Sequence, residues 1–248
     1  HLDAAVGRVL GAVDARGGDR ETIIVYAADH GLAVGSHGLL GKQSVYEHSL
    51  RAPMMISGPG IPEGRHLTSL TYLYDLYPTL LGLVDVAVEE QIHGADLRPL
   101  WDGEVTQVRD SVFLSMGTTQ RAVTDGRFKL CVYPQVAHRQ LFDLASDPLE
   151  TINLATNPAY RPHIARLERE MATWRRLTGD PDPLSVEEPS ALEVELSGAA
   201  RKPDRWQPEW IREKYFDPPE EEPAAEEPAA EKPAAEKPGE GKSEKSGS

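Results

Sequence analysis

The stretch Thr22-Ile23-Ile24-Val25-Tyr26-Ala27-Ala28-Asp29-His30-Gly31, followed by Leu32-Ala33-Val34-Gly35-Ser36-His37-Gly38-Leu39-Leu40-Gly41-Lys42, decides how this chain is read. An apolar run stops abruptly at an acid and an imidazole. A glycine-rich loop then carries a second histidine and a lysine. Residues 22–27 have the length and unbroken apolar character of a buried strand in a parallel sheet. Ligands and catalytic groups gather at the carboxyl ends of such strands. Asp29 and His30 could there hold one metal ion between them, and Lys42 could reach over to grip an anion. The triplet Asp29-His30-Gly31 also suits an ordinary turn, with Asp29 capping the next element and Gly31 supplying a positive φ.

Upstream, Leu2, Val6, Val9, Leu10 and Val13 share one helical face, and Gly17-Gly18 is expected to end that helix. A helix packed on a sheet and feeding a central strand is half of a βαβ arrangement. Downstream, residues 31–50 read as a long site loop and 54–57 as a second strand, closed by Gly58-Pro59-Gly60. Asp75 suits the N-cap of a helix running to about Gly82, with Pro78 tolerated in its first turn. Strands are expected at 112–115, 121–124, 127–133 and 140–144, with Asp125-Gly126 marking a hairpin between the second and third. Ile164, Leu167, Met171, Trp174 and Leu177 mark an amphipathic helix that covers this small antiparallel sheet.

Composition bounds the rest. Residues 217–248 repeat Pro, Ala, Glu and Lys, offer no apolar anchor beyond alanine, and are expected to remain a disordered or semi-stiff tail. That tail has ten acidic and four basic residues, which leaves −8 of the chain's −14 on the body. An acidic body without a basic stripe excludes a nucleic-acid partner. No apolar run is long enough to span a membrane. The single cysteine, Cys131, sits in an apolar strand-like run and reads as a buried structural thiol. Trp206, Trp210, Tyr215 and Phe216 are expected to fold back onto the core, the alternative being a substrate or partner contact.

Ordered blocks across residues 1–155 carry a resemblance. They are Leu2-Asp3-Ala4-Ala5-Val6-Gly7-Arg8-Val9-Leu10; Asp29-His30-Gly31, Gly35-Ser36-His37-Gly38 and Gly41-Lys42; Tyr46-Glu47, Arg51-Ala52-Pro53-Met54-Met55-Ile56 and Gly58-Pro59-Gly60; Asp75-Leu76-Tyr77-Pro78-Thr79; His93-Gly94-Ala95-Asp96-Leu97-Arg98-Pro99-Leu100; and Leu141-Phe142-Asp143-Leu144, Asp147-Pro148, Glu150 and Asn153-Leu154-Ala155. In this order they resemble the C-terminal half of a sulfatase, in the alkaline-phosphatase-like superfamily. The resemblance implies an α/β fold: a partial alkaline-phosphatase-like sheet flanked by helices, then a small antiparallel sheet with a covering helix, then the tail. The expected domains are 1–105, the C-terminal part of the α/β catalytic domain; 106–178, the small-sheet subdomain; 179–216, an irregular extension; and 217–248, the tail.

The same resemblance implies hydrolysis of a small-molecule or carbohydrate sulfate monoester. A phosphodiester or phosphonate ester hydrolase of the same superfamily is the alternative, and a catalytically incompetent truncated or split product is the third reading. Metal ligands would be Asp29 and His30, with Ca²⁺ implied as the ion. The ligand pair by itself leaves Mg²⁺, Mn²⁺ and Zn²⁺ open, since oxygen donors favour hard ions and an imidazole softer ones. Lys42 would contact the sulfate and the leaving oxygen; as a bare residue it could equally be a solvated lysine. His37 could touch substrate, donate a proton or cap the loop. The family nucleophile is a formylglycine made from a Cys/Ser-x-Pro-x-Arg run, which these residues do not contain. The nucleophile and the paired aspartates of the metal site are therefore expected in an N-terminal half of the same protein. Periplasmic or secreted location is implied in the same way. His48 is expected at the surface, and Glu47 and Arg51, four apart, as a structural ion pair.

Overall fold

The computed structural model describes residues 1–16, 21–88, 92–193, 197, 202–203 and 207–216. Two compact units divide the chain, 1–194 and 195–248. In the first, α1 (Leu2–Ala15) forms where the apolar spacing places it, yet none of its residues is buried and Leu2 and Val9 are well exposed. Gly17 and Gly18 lie outside the described residues. Next come β1 (Ile24–Ala27), β2 (Ala33–Val34), β3 (Leu40–Gly41), the single turn α2 (Glu47–Leu50) and β4 (Met54–Ser57).

The parallel pairing and burial expected of β1 are not found. It pairs antiparallel with β4, Ile24 opposite Ser57 and Ala27 opposite Met54, and its last two residues are exposed. Residues 28–53 explain the direction. They leave the end of β1 and return to it, with the Ala28 N–H donating to the Pro53 carbonyl at 3.2 Å. A parallel pair would need a crossover to the opposite end of the sheet. Only one face of the pair is covered: Met54 and Ile56 pack on Leu97, Leu100 and Trp101, while Met55 and Tyr26 face outward.

The helix α3 (Leu76–Leu83) begins at Asp75, and Pro78 is accommodated in its first turn. Asp75 does not cap it with its side chain. Its fully buried carboxylate instead takes the Tyr72 N–H at 2.7 Å, the Ala95 N–H at 2.9 Å, and a two-pronged Arg109 guanidinium at 2.6 and 2.7 Å. A short helix, α4 (Arg98–Asp102), follows.

The later strands fall within two residues of the expected bounds: β5 (Val112–Met116), β6 (Gln120–Thr124), β7 (Phe128–Tyr133) and β8 (His138–Asp143) form an antiparallel meander in that order. At the predicted hairpin, Asp125 Oδ1 accepts from the Arg127 and Phe128 N–H groups at 2.9 and 2.6 Å. Strand alternation gives the sheet two packed faces. On one, Val123, Leu130, Val132 and Leu141 meet Leu167 and Met171 of α5 (Arg161–Thr178). On the other, Ala122, Cys131 and Phe142 meet Val45 of the site loop. Cys131 is fully buried, as expected, and burial pushes its thiol up to about 12.

Beyond α5, Asp180 and Asp182 fold back on buried Arg121, whose Nε and Nη2 donate to the two Asp180 oxygens at 2.9 Å each. Hydrogen bonding from Arg121, which outweighs partial burial, holds the Asp180 carboxyl down at about 2. A carboxylate whose pKa is depressed in the folded state stabilises it above the unfolded value of about 3.9, and that contribution disappears as pH falls through the folded pKa. Urea midpoints should therefore drop between about pH 4 and pH 2, and Asp180→Asn should flatten this stretch of the profile. An unchanged slope in the variant would refute the assignment.

In the second unit, α6 (Glu209–Tyr215) is the one helix among the described residues. Trp210 and Tyr215 are exposed; Trp206 and the tail 217–248 lie outside the described residues. No helix among those described is long and apolar enough to cross a membrane.

Candidate active-site loop

Asp29 and His30 sit just past the end of β1, and the ribbon that follows returns Lys42 to them. Strands β2 and β3 pair Ala33 with Gly41 and Val34 with Leu40. The chain turns through residues 35–39, where the Gly35 N–H donates to the Leu39 carbonyl at 2.9 Å. Lys42, one step past β3, thus comes back beside the segment that precedes β2. Gly41 makes this possible with a φ of 130°, which a side chain would strain.

Three side chains meet as a result. Lys42 Nζ is 2.5 Å from His30 Nε2, and His30 Nε2 is 3.0 Å from Asp29 Oδ2. The Asp29 side chain is 76% exposed and that of His30 33%, so the cluster opens to solvent on the carboxylate side. The tautomer of His30 follows from its other nitrogen. Nδ1 lies 2.7 Å from the Gly31 carbonyl oxygen, which can only accept, so Nδ1 carries the proton. In the neutral ring Nε2 is then a lone pair. It accepts from the Lys42 ammonium, and it stands beside a carboxylate oxygen that is also an electron-pair donor. Two electron-pair donors thus lie 3.0 Å apart, one of them an imidazole nitrogen oriented by a backbone carbonyl, a donor set of the kind that suits a cation. Among the described residues no group of three or more His, Cys, Asp or Glu side chains could hold a metal ion.

Gly31 is needed for closeness rather than for a positive φ. A Cβ there would lie 2.1 Å from the His48 carbonyl oxygen, and its N–H donates to the Ser49 carbonyl at 2.8 Å. The Asp-His-Gly corner is thereby held against α2.

His37 points elsewhere. Its Nε2 donates to the Glu150 carbonyl at 3.0 Å, and its ring stacks on Tyr46 at 3.9 Å between centroids. Of the three functions open to it from sequence, the geometry is that of a loop anchor. His48, expected at the surface, is half-buried: its Nε2 is buried, its Nδ1 pairs with Ser49 Oγ at 2.9 Å, and burial, then the neighbouring His37 and Lys129 charges, lower its pKa.

Glu47 also departs from expectation. Its carboxylate lies 3.0 Å from Lys129 Nζ, on β7, not against Arg51. α2 is one turn long, and Arg51 is already extended backbone beyond its end. Lys129 is fully buried and also meets Glu150 at 2.8 Å. Neither Lys129 nor Glu150 was singled out as a site residue from sequence. The only hint was a lysine at an inward position of an otherwise apolar strand.

Comparison with known proteins places this geometry in context. The family described as N-sulphoglucosamine sulphohydrolase, C-terminal, matches residues 35–177. A choline-sulfatase of Rhizobium meliloti (strain 1021) is 36% identical over 166 residues, covering 64% of this chain and 32% of that protein. A delta 4,5-hexuronate-2-O-sulfatase of Bacteroides thetaiotaomicron is 32% identical over 199 residues, covering 72% and 41%. Among solved structures, one in complex with its substrate D-glucosamine-2-N,6-O-disulfate superposes with a TM-score of 0.66 at 26% identity, covering 75% of this chain and 40% of the other. A phosphonate monoester hydrolase from Silicibacter pomeroyi superposes with a TM-score of 0.63 at 28% identity, covering 71% and 39%. The chain spans about a third of the length of the curated relatives it matches.

Proposed function

This chain belongs to the sulfatase family, and on that premise we propose that it supplies one side of the active site of a metal-dependent sulfate monoester hydrolase. The convergence of Asp29 Oδ2, His30 Nε2 and Lys42 Nζ carries this reading. Asp29 and His30 would hold a divalent cation, Ca²⁺ by family likeness. Once bound, such an ion neutralises charge on the sulfuryl oxygens. The Gly31 carbonyl keeps the proton of the neutral His30 ring on Nδ1, so that Nε2 offers its lone pair to the site. Lys42 brings three N–H donors on a flexible stem. With the Nε2 lone pair given to the cation, the Lys42 Nζ would be released from the imidazole; it then contacts a sulfuryl oxygen and the bridging oxygen of the ester, and so stabilises charge as the ester bond breaks. His37 fixes the loop that carries Lys42.

Attack on sulfur is not performed by Cys131: its thiol is fully buried and pushed up to about 12. A formylglycine supplied by sequence outside these 248 residues is the nucleophile this reading requires, together with the remaining metal ligands. An exported location and a small-molecule or carbohydrate sulfate as substrate belong to the same reading. The similarity to phosphonate monoester hydrolases supports a second reading, in which the same side chains hold a phosphoryl group.

Relative turnover separates the two. With the intact protein that contains this chain, an aryl sulfate should be hydrolysed with a kcat/KM at least ~10-fold above that for an aryl phosphonate monoester, since pocket contacts discriminate on that scale. Chelation should abolish the activity and added divalent metal restore it. The reverse ranking would favour the second reading, and activity indifferent to chelator would overturn the metal site.

A further inference from the structure

Lys129 and Glu150 are buried charges that the proposed chemistry does not use. They lie on different elements of the small-sheet region, yet both reach the site loop. On β7, Lys129 occupies the face that looks toward Val45, and its ammonium sits between Glu47 Oε1 at 3.0 Å and Glu150 Oε1 at 2.8 Å. The other Glu150 oxygen, Oε2, accepts from the Glu47 N–H at 2.6 Å. The Glu150 backbone carbonyl accepts from His37 Nε2. One residue therefore ties both ends of the loop segment between His37 and Glu47, and Lys42 lies between those ends.

The backbone carries a second, independent sign. His37 and Glu150 both adopt left-handed conformations, with φ of 55° and 57°, although neither is glycine. Such conformations cost energy and persist where the surroundings over-determine them. Here two of them are joined by a hydrogen bond across 113 residues. Burying one ammonium with two carboxylates is likewise weak as a source of stability, because desolvation offsets most of the attraction. Strained backbone and buried charge at the same contact are better explained by a need for position.

We infer that Glu150, held by Lys129, is a positioning residue: it clamps the His37–Glu47 loop to the small sheet and thereby sets the ammonium of Lys42 against His30. The effect on rate rests on the sulfatase reading; the clamp itself does not. It gives the small antiparallel sheet a part in the site.

Glu150→Gly is the informative variant, because glycine takes the left-handed backbone without strain and removes only the side chain. In the 248-residue chain, hydrogen exchange at the Gly35, Gly38 and Leu39 amides should accelerate roughly tenfold, and the ¹⁵N shift of His37 should move toward that of a free imidazole. Glu150→Gln, which keeps an acceptor for the Glu47 N–H, should restore most of the protection. In the intact enzyme, kcat should fall roughly 10–100-fold with KM little changed, the signature of a misplaced catalytic group, and Glu150→Gln should recover it. If Glu150→Gly does not fold, His37→Gly cuts the clamp's other tie, the imidazole bond to the Glu150 carbonyl, from the exposed side and should likewise accelerate exchange at these amides. Unchanged exchange and an unchanged His37 shift in the folded variant would overturn the clamp. Absence of sulfatase activity in the unaltered enzyme would instead overturn the function and leave the exchange result to decide the clamp.

Discussion

Replacing Lys42 with alanine should lower kcat for sulfate ester hydrolysis by about a thousandfold in the intact enzyme, while leaving the fold in place. The magnitude is what removal of one preorganised donor from a developing oxyanion costs, about 10²–10³, raised here because the donor is charged. The fold should survive because Lys42 is exposed and its partner is the His30 lone pair, not a buried charge. Lys42→Arg should not rescue. The guanidinium is a rigid planar fork, and Lys42 works as a compact point charge on a flexible stem. Asp29→Ala should show a different pattern: activity lost, bound metal lost, and partial recovery at high metal concentration, because His30 still offers Nε2. Initial rates with an aryl sulfate, together with metal analysis of the purified variants, read both effects. A Lys42→Ala enzyme within about tenfold of the original kcat would remove the ammonium from the mechanism.

The largest loss of stability is expected at Asp75. Its carboxylate is fully buried and serves two backbone N–H groups and the Arg109 guanidinium, itself only 10% exposed on its side chain. Asp75→Ala leaves that guanidinium without its partner and the Tyr72 and Ala95 N–H groups without acceptors. Removing one member of a buried ion pair costs about 3–5 kcal/mol. The Arg109 guanidinium also lies over the Tyr72 ring at 4.8 Å, so its displacement would disturb a neighbouring contact as well. Asp75→Asn keeps one acceptor and should cost less. Urea unfolding measures both variants; a loss below about 1 kcal/mol for Asp75→Ala would show that the cluster is not the staple it resembles.

The small sheet was the most legible part of the sequence. Short strand-like runs and the Asp125-Gly126 turn marked its strands because both signals are local, and the Leu167/Met171 stripe located the helix above it. The Asp29, His30 and Lys42 cluster was legible for a related reason: acid and imidazole are adjacent, and glycines mark the ribbon that returns the lysine. What failed was set by distant partners. Apolar character gave β1 its existence but not its direction, which depends on where the chain re-enters at Pro53. The carboxylate of Asp75 looked like a helix cap because its true partner, Arg109, is 34 residues away. Glu47 had an obvious neighbour in Arg51 and chose Lys129, 82 residues on, since a one-turn helix cannot present the closer pair. Glu150 stood in a block of the resemblance but gave no sign of its contacts: its carbonyl's bond to His37 is invisible to sequence patterns, and its carboxylate's partners, Lys129 and the Glu47 N–H, are distant in the chain.

The β2–β3 ribbon has a consequence for tolerance to insertion and deletion. What brings the ammonium home is the pairing of Ala33 with Gly41, not the number of residues between the imidazole and the lysine. Residues added or removed at the tip, around Ser36 and Gly38, would lengthen or shorten a protrusion and leave its base intact, so long as the His37 tether is kept. A single residue inserted between Gly41 and Lys42 would swing the cation to the far side of the ribbon, because successive side chains point in opposite directions. Spacing between the two groups is thus free to drift at one end and frozen at the other, which tells an engineer where this loop can be regrafted.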